Sequence, residues 1–422
     1  LTTTNRMFRD ATAFNQDIGS WDLSGVTDMF GMFYSATSFN GDISNWDVSG
    51  VTNMSYMFQN ATIFNQDLSN WCVTNISSLP GNFADGALLQ AGFFPVWGTC
   101  PAFEFTWQTD NTGTSNDDQA TLPFTISADL NCVVDWGDGS TTTLNSASSA
   151  GDLTHTYSGG AGTKSISISG TGINGFAFNN GGDRQKILEV SNVGNLDITE
   201  TSTFYGCSNM TWTAITAPTI TTTNLSNTFR ACFNFNGNIN NWNVGSVTLM
   251  SQMFYVASSF NQPLNDWNVG SVANMANMFS SATSFNQPLN SWIVSSVTHM
   301  GFMFSNASAF NQDISSWDIN QVTSFVYFMS NVTLSTANYD LLLPAWDAQG
   351  AMSFSGNTAH FGSSTYTLGG AVETARTSLI SKWGAIIDGG GVAIDTPPTI
   401  TTADVVTTIN EGTFALGSVS AD

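Results

Sequence analysis

The sequence predicts an α/β repeat solenoid in two arrays, interrupted by an all-β sandwich. Three observations carry that expectation. A 25-residue period is marked by Met7-Phe8, Met32-Phe33, Met57-Phe58 and Phe83, and returns at Phe204, Phe229, Phe254, Phe279 and Phe304. The two stretches are out of phase, because Phe83 and Phe204 lie 121 residues apart. Between them the period lapses, and short alternating segments are separated by Gly, Asp and Asn turns. A fixed period of this length is the signature of a stacked-repeat architecture.

Each element follows from one unit. Val26, Met29, Met32, Phe33 and Ala36 fall at offsets 0, 3, 6, 7 and 10, which predicts a short helix with Ser24 as its N-cap. Trp46 and Val48 alternate with Asn45 and Asp47, which predicts a short strand. One unit cannot bury both, so units should stack, with strands in a parallel ladder and helical segments behind them. With Phe, Met and Trp where Leu usually stands, this is a leucine-rich-repeat-like solenoid. Asn15, Asn40, Asn65, Asn236, Asn261, Asn286 and Asn311 share one column and are expected to face inward, satisfying loop backbone groups.

Four divisions result. Residues 1–100 form the first array, which begins inside a repeat. Residues 101–186 form the sandwich, with strands at Phe103 to Trp107, Phe124 to Ile126 and Lys164 to Gly170. Residues 187–391 form the second array, closed by a cap helix that carries Val372, Ala375, Leu379 and Trp383 on one face. Residues 392–422 read as a linker and the start of a further β module. A sandwich needs ~100 residues, so the chain is expected to continue past Asp422.

Composition removes several functions. The 422 residues carry 31 acidic and 8 Lys plus Arg side chains, a net charge of −23. So few cations cannot neutralise a phosphate backbone or an anionic membrane surface. No apolar run approaches the ~20 residues of a membrane span. Aromatics at 12% distinguish the chain from a disordered acidic tail.

No enzyme is expected. His155, His299 and His360 stand in unlike contexts, no Cys-x-x-Cys pair occurs, and neither a nucleophile elbow nor a phosphate-binding loop is present. The candidate ligand-facing positions are instead the outward columns beside each Trp: Ser20 with Asp22, Asn45 with Asp47, Asn241 with Asn243, Asp266 with Asn268, and Ser316 with Asp318. Neighbouring coils ~4.8 Å apart would bring Asp22 against Asp47. Ca²⁺ bridging them is one reading; a solvated face that tolerates the repulsion is the simpler one. Cys72 and Cys100 are expected to bridge at the end of the first array, where a closing loop can reach the outward column. Cys207 and Cys232 share the register of Ala11 and Ala36 and should stack, as a disulfide or as two buried thiols. Cys132 should lie in the core of the sandwich. A column of Thr12, Thr37 and Thr62 is too sparse to suggest ice binding.

The segment Phe310-Asn-Gln-Asp-Ile-Ser-Ser-Trp317-Asp318, with Val322-Thr323 following, resembles the BspA-like repeat surface proteins of bacteria. Trp136-Gly-Asp-Gly139 with His155-Thr-Tyr157 resembles PKD-type immunoglobulin-like modules, and the text after Pro397 resembles a cadherin-like module. Those resemblances imply an exported adhesin of the bacterial cell surface, of a kind associated with type IX secretion. Its contacts would be with a surface, a glycan or a protein ligand, and Asp395 could belong to an incomplete Ca²⁺ site. The alternative is a stalk or filament-forming spacer that associates end to end.

Overall fold

The computed structural model describes residues 2–392 except 20, 22, 24, 45 and 350–357. Ser20, Asp22, Ser24, Asn45 and Asp395 therefore lie outside the described residues.

Successive repeats stack on one another, and the contact is backbone to backbone. The amides of Met29, Gly31, Phe33 and Ser35 donate to the carbonyls of Asn53, Ser55, Met57 and Gln59 in the next unit. The intervening amides of Met32, Tyr34 and Ala36 donate three residues back within their own unit. This is a string of tight turns, and no helix forms between Val26 and Ala36. Gly31 and Ser35 adopt φ of +56° and +55°, and Gln252 and Val256 repeat this in the second array. A left-handed residue every fourth position cannot continue a right-handed helix. Spacings of three and four place residues on one side of either structure, so the apolar stripe fits both.

The expected strand around Trp46 is also replaced. Trp46 and Val51 donate to Ile43 and Val48, turning the chain on both sides of Trp46 to Val48. Parallel bridges form instead at Thr3, Asp28 and Asn53, and at Asn224, Leu249, Asn274 and His299. The alternation survives: Trp46, Trp242, Trp267, Trp292 and Trp317 are buried, whereas Asn243, Asn268 and Asp318 are exposed.

The core of each array is a set of aromatic columns. Phe254, Phe279 and Phe304 stack at 5.4 and 5.6 Å between centroids, each also beside a second Phe of its own unit, as Phe279 is on Phe285 at 4.1 Å. Such pairs contribute about 0.5–1.5 kcal/mol beyond area burial. Each buried indole must also place its N–H. Trp46, Trp71, Trp267, Trp292 and Trp317 donate to the carbonyls of Ile18, Ile43, Ile239, Leu264 and Leu289 in the preceding unit, at 2.9–3.1 Å. Trp242 breaks this ladder and finds no acceptor among the described residues.

Between the first array and the regular units of the second lie β1 (Phe103–Gln108), β2 (Gln119–Thr121), β3 (Asn131–Asp135), β4 (Thr141–Asn145), β5 (Thr154–Thr156), β6 (Thr163–Thr171), β7 (Ile187–Asn192), β8 (Asp197–Ile198), β9 (Thr211–Trp212) and β10 (Thr219–Ile220). One six-stranded sheet runs β4-β3-β6-β1-β7-β9, antiparallel except for the β7–β9 pair, and β2 pairs with β5. The expected division at residue 186 thus falls between paired strands β1 and β7. Buried apolar side chains form one core from Ile18 to Phe83 and a second, continuous from Phe103 to Trp383.

The far end is closed by α1 (Thr336–Asp347) and α2 (Gly370–Trp383), with β11 (Thr358–His360), β12 (Thr365–Thr367), β13 (Ala385–Ile387) and β14 (Gly390–Val392). Tyr339, Leu342, Leu343 and Trp346 of α1 and Ala375, Leu379 and Trp383 of α2 are buried. A forked pair of Arg376 on Asp388, joined by the Tyr339 hydroxyl at 2.9 Å, ties them together. Among the described residues no helix is long and apolar enough to cross a membrane.

Candidate functional site

The outward columns are built by the turns. Asp47 Oδ1 accepts from the Ser49 amide and hydroxyl at 3.0 and 2.6 Å. Asn243, Asn268 and Asp318 accept from the amides of Gly245, Gly270 and Asn320. A second column repeats the motif, with Asp17, Asp42, Asp67, Asn238 and Asp313 each taking the amide two residues on. A third does so at Asp28, Asn53, Asn224 and Asn274. Each unit is therefore cornered by side chains that mimic a backbone turn, a role Asp and Asn fill equally. The task needs an acceptor oxygen, not a charge.

Asn240 and Asp266 pair across neighbouring units, amide to carboxylate at 2.6 Å. Ser316 donates to the Asn290 carbonyl and Asn241 to the Ile215 carbonyl. The Asn column does form a ladder, in which Asn40, Asn65, Asn261, Asn286 and Asn311 donate their amides to the preceding Asn side chain. It lies at the surface rather than inside. Thr37 and Thr62 turn their hydroxyls onto the preceding Thr carbonyl.

Asp47 meets a second carboxylate. It lines a cleft of about 230 Å³ between the first array and the central sheet, with Ser44, Ser49, Asn174, Asn195 and Asp197. Burial pushes the Asp197 carboxyl up, and Asp47 adds to the shift. Thr221 donates to both Asp197 oxygens, at 3.0 and 3.1 Å. Among the described residues no group of three or more His, Cys, Asp or Glu side chains is placed to hold a metal ion.

The cysteines divide as follows. Cys72 and Cys100 form a disulfide, and the Val73 amide reaches the Thr99 carbonyl beside it. Cys207 and Cys232 are free, buried thiols, as is Cys132. Burial pushes Cys132 up to about 11 and raises the other two strongly, so none is a nucleophile at neutral pH. Asp138 and Ser140, in the turn between β3 and β4, cluster with His155 of β5, but one nitrogen, His155 Nε2, faces both Asp138 at 2.8 Å and Ser140 at 3.4 Å. A catalytic relay uses both ring nitrogens. Here the ring stacks on Trp136 at 4.9 Å, and the Tyr157 hydroxyl closes the turn on the Trp136 carbonyl.

Stacked aromatic units cornered by Asx turns, around a central antiparallel sheet, define a repeat protein. Residues 1–92 and 223–342, together half of the chain, match the family described as "Mycoplasma protein of unknown function, DUF285", and the chain belongs to that family. No curated protein and no solved structure matches it.

Proposed function

We propose that the chain is an adhesive segment of an exported bacterial surface protein, built from two leucine-rich-repeat-like solenoids of BspA type around a PKD-like immunoglobulin module. One observation carries this reading: the outward columns repeat Asn, Asp, Ser and Thr at fixed registers, the Asp and Asn side chains held by their own turns and the Ser and Thr hydroxyls by the preceding unit. A rigid periodic polar face suits an extended ligand such as a glycan or a surface, because little side-chain freedom remains to be lost on contact. Adhesion is tested by coating beads with the chain and measuring their attachment to cells and immobilised glycans. Attachment that excess soluble chain competes away supports the reading, and beads that behave like uncoated ones contradict it.

A spacer is the second reading, favoured by how completely the turn side chains are occupied by backbone amides. End-to-end stacking of isolated chains in micrographs, without attachment, would select it.

A further inference from the structure

The geometry points to a binding site for a single sugar residue at the seam between the central sheet and the second array, in a cleft lined by Trp212, Ala214, Ile215, Asn240, Asn241 and Asp266. The cleft measures about 290 Å³, close to the lower bound of ~300–1,000 Å³ for small-molecule sites. It exists because the first unit of the second array departs from the pattern. The Trp column at 242, 267, 292 and 317 is held by Ala at 217, and the Ile/Leu column at 239, 264, 289 and 314 is held by Ala at 214. The displaced indole comes from Trp212, in the column that carries Gln at 262, 287 and 312. Gly237 makes room for it in the next unit: a Cβ there would lie 2.4 Å from that of Trp212.

The displacement leaves two indole N–H groups unmatched. Trp242 would, by the rule of its column, donate to the Ala214 carbonyl, yet it has no acceptor among the described residues. Trp212, part of the cleft wall, is 6% exposed and its Nε1 also lacks an acceptor. A buried donor left unmade costs about 1–3 kcal/mol, and because both nitrogens are shut off from the cleft, the first unit bears that cost itself and a guest must find its partners on the lining.

The lining narrows that guest. It holds no Lys or Arg, which removes phosphates and carboxylates as ligands. Asp266, already joined to Asn240, Thr213, already donating to Glu189, and Asn238, whose Oδ1 holds the Asn240 amide, still present a carboxylate oxygen, hydroxyl lone pairs and a side-chain NH2, the mixed donors and acceptors that adjacent hydroxyls need. Ile215, 83% exposed at the rim, offers apolar surface for a C–H face. A neutral polyhydroxylated ring satisfies both. The site rests on the adhesive reading only in that it names a glycan as the thing held.

The test titrates the full chain with a panel of neutral hexoses and N-acetylhexosamines, following the Trp indole N–H resonances, and screens it on a glycan array. A saturable shift of the Trp212 resonance, weakened at least tenfold by Asp266→Ala and unaffected by Asp318→Ala, supports the site. Ala214→Leu restores the residue found at 264 and 289; it should close the cleft and abolish the shift while the thermal midpoint holds or rises. Sugar binding that neither variant alters overturns the site. A blank panel also overturns it: with coated beads that still attach to cells, the adhesive reading survives alone, and with beads that do not, both fail.

Discussion

The two arrays and the central sheet solve the same problem in opposite ways. In the arrays, polar side chains serve the backbone locally: Asp47, Asn243, Asn268 and Asp318 each hold the amide two residues on. In the sheet region, two buried charged residues hold distant segments together. Asp183, 1% exposed, accepts the amides of Thr114, Ser115 and Thr121, while Lys186, fully buried, donates to the carbonyls of Ser115, Asn116 and Gln119. A repeated local device tolerates loss of one copy, and a single buried network does not.

The largest effects should expose that contrast. Asp183→Ala strands three half-buried or exposed amides beside a buried ammonium and should cost about 3–5 kcal/mol, chiefly by leaving that ammonium without its carboxylate, read as a lower urea midpoint for the sheet signal. Phe279→Ala opens a void in the middle of an aromatic column and should cost a comparable ~3–5 kcal/mol, here reported by the second array. Equal loss in both regions from Phe279→Ala would follow from the core shared between Phe103 and Trp383. Loss confined to the array would show that the seam uncouples.

Reducing the Cys72–Cys100 bridge should lower the stability of the first array by about 3 kcal/mol, from the length of chain it closes, and leave the second core unmoved. Differential melting with and without reductant checks this. A smaller pair of effects depends on pH. Hydrogen bonds from Ser140, then His155, hold the Asp138 carboxyl below the usual carboxylate range. Its stabilisation is thus complete above about pH 4 and is lost as pH falls. Burial, with Asp47 nearby, raises Asp197, so stability falls as pH rises through its folded value. Asp138→Asn should therefore lower the neutral-pH midpoint and Asp197→Asn raise it; the opposite pair of signs would refute both assignments. Smallest of all, Asp318→Asn should change stability by no more than about 0.5 kcal/mol, whereas Asp318→Ala should cost about 1 kcal/mol by freeing the Asn320 amide.

Much of this was readable in the sequence. The period, the buried Phe and Trp columns and a closing α-helix follow from spacing alone, because burial periodicity survives whatever the backbone does. The turn ladder was not readable: Val26, Met29, Phe33 and Ala36 suit a helix equally well, and amides at Gly31 and Ser35 reveal their inter-unit partners only once the units stack. Indole donors escaped for a related reason, since their acceptors are main-chain carbonyls that no side-chain pattern marks. The Trp212 cleft did leave a trace. Ala214, Ala217 and Gly237 each break a column, which an alignment of the first irregular unit against its successors would have revealed.

The central claim is that the acidic columns are corner pieces of the turns and that their charge is dispensable. Replacing Asp17, Asp42, Asp47, Asp67, Asp313 and Asp318 together by Asn removes the charge and keeps every acceptor oxygen. Thermal melting of that variant beside the parent, each with Ca²⁺ and with chelator, is the direct measurement. Midpoints that agree within a few degrees under both conditions are predicted, ~0.5 kcal/mol being the ordinary scatter of surface changes. A parent that Ca²⁺ stabilises, and a variant that loses that response or fails to fold, would contradict the claim.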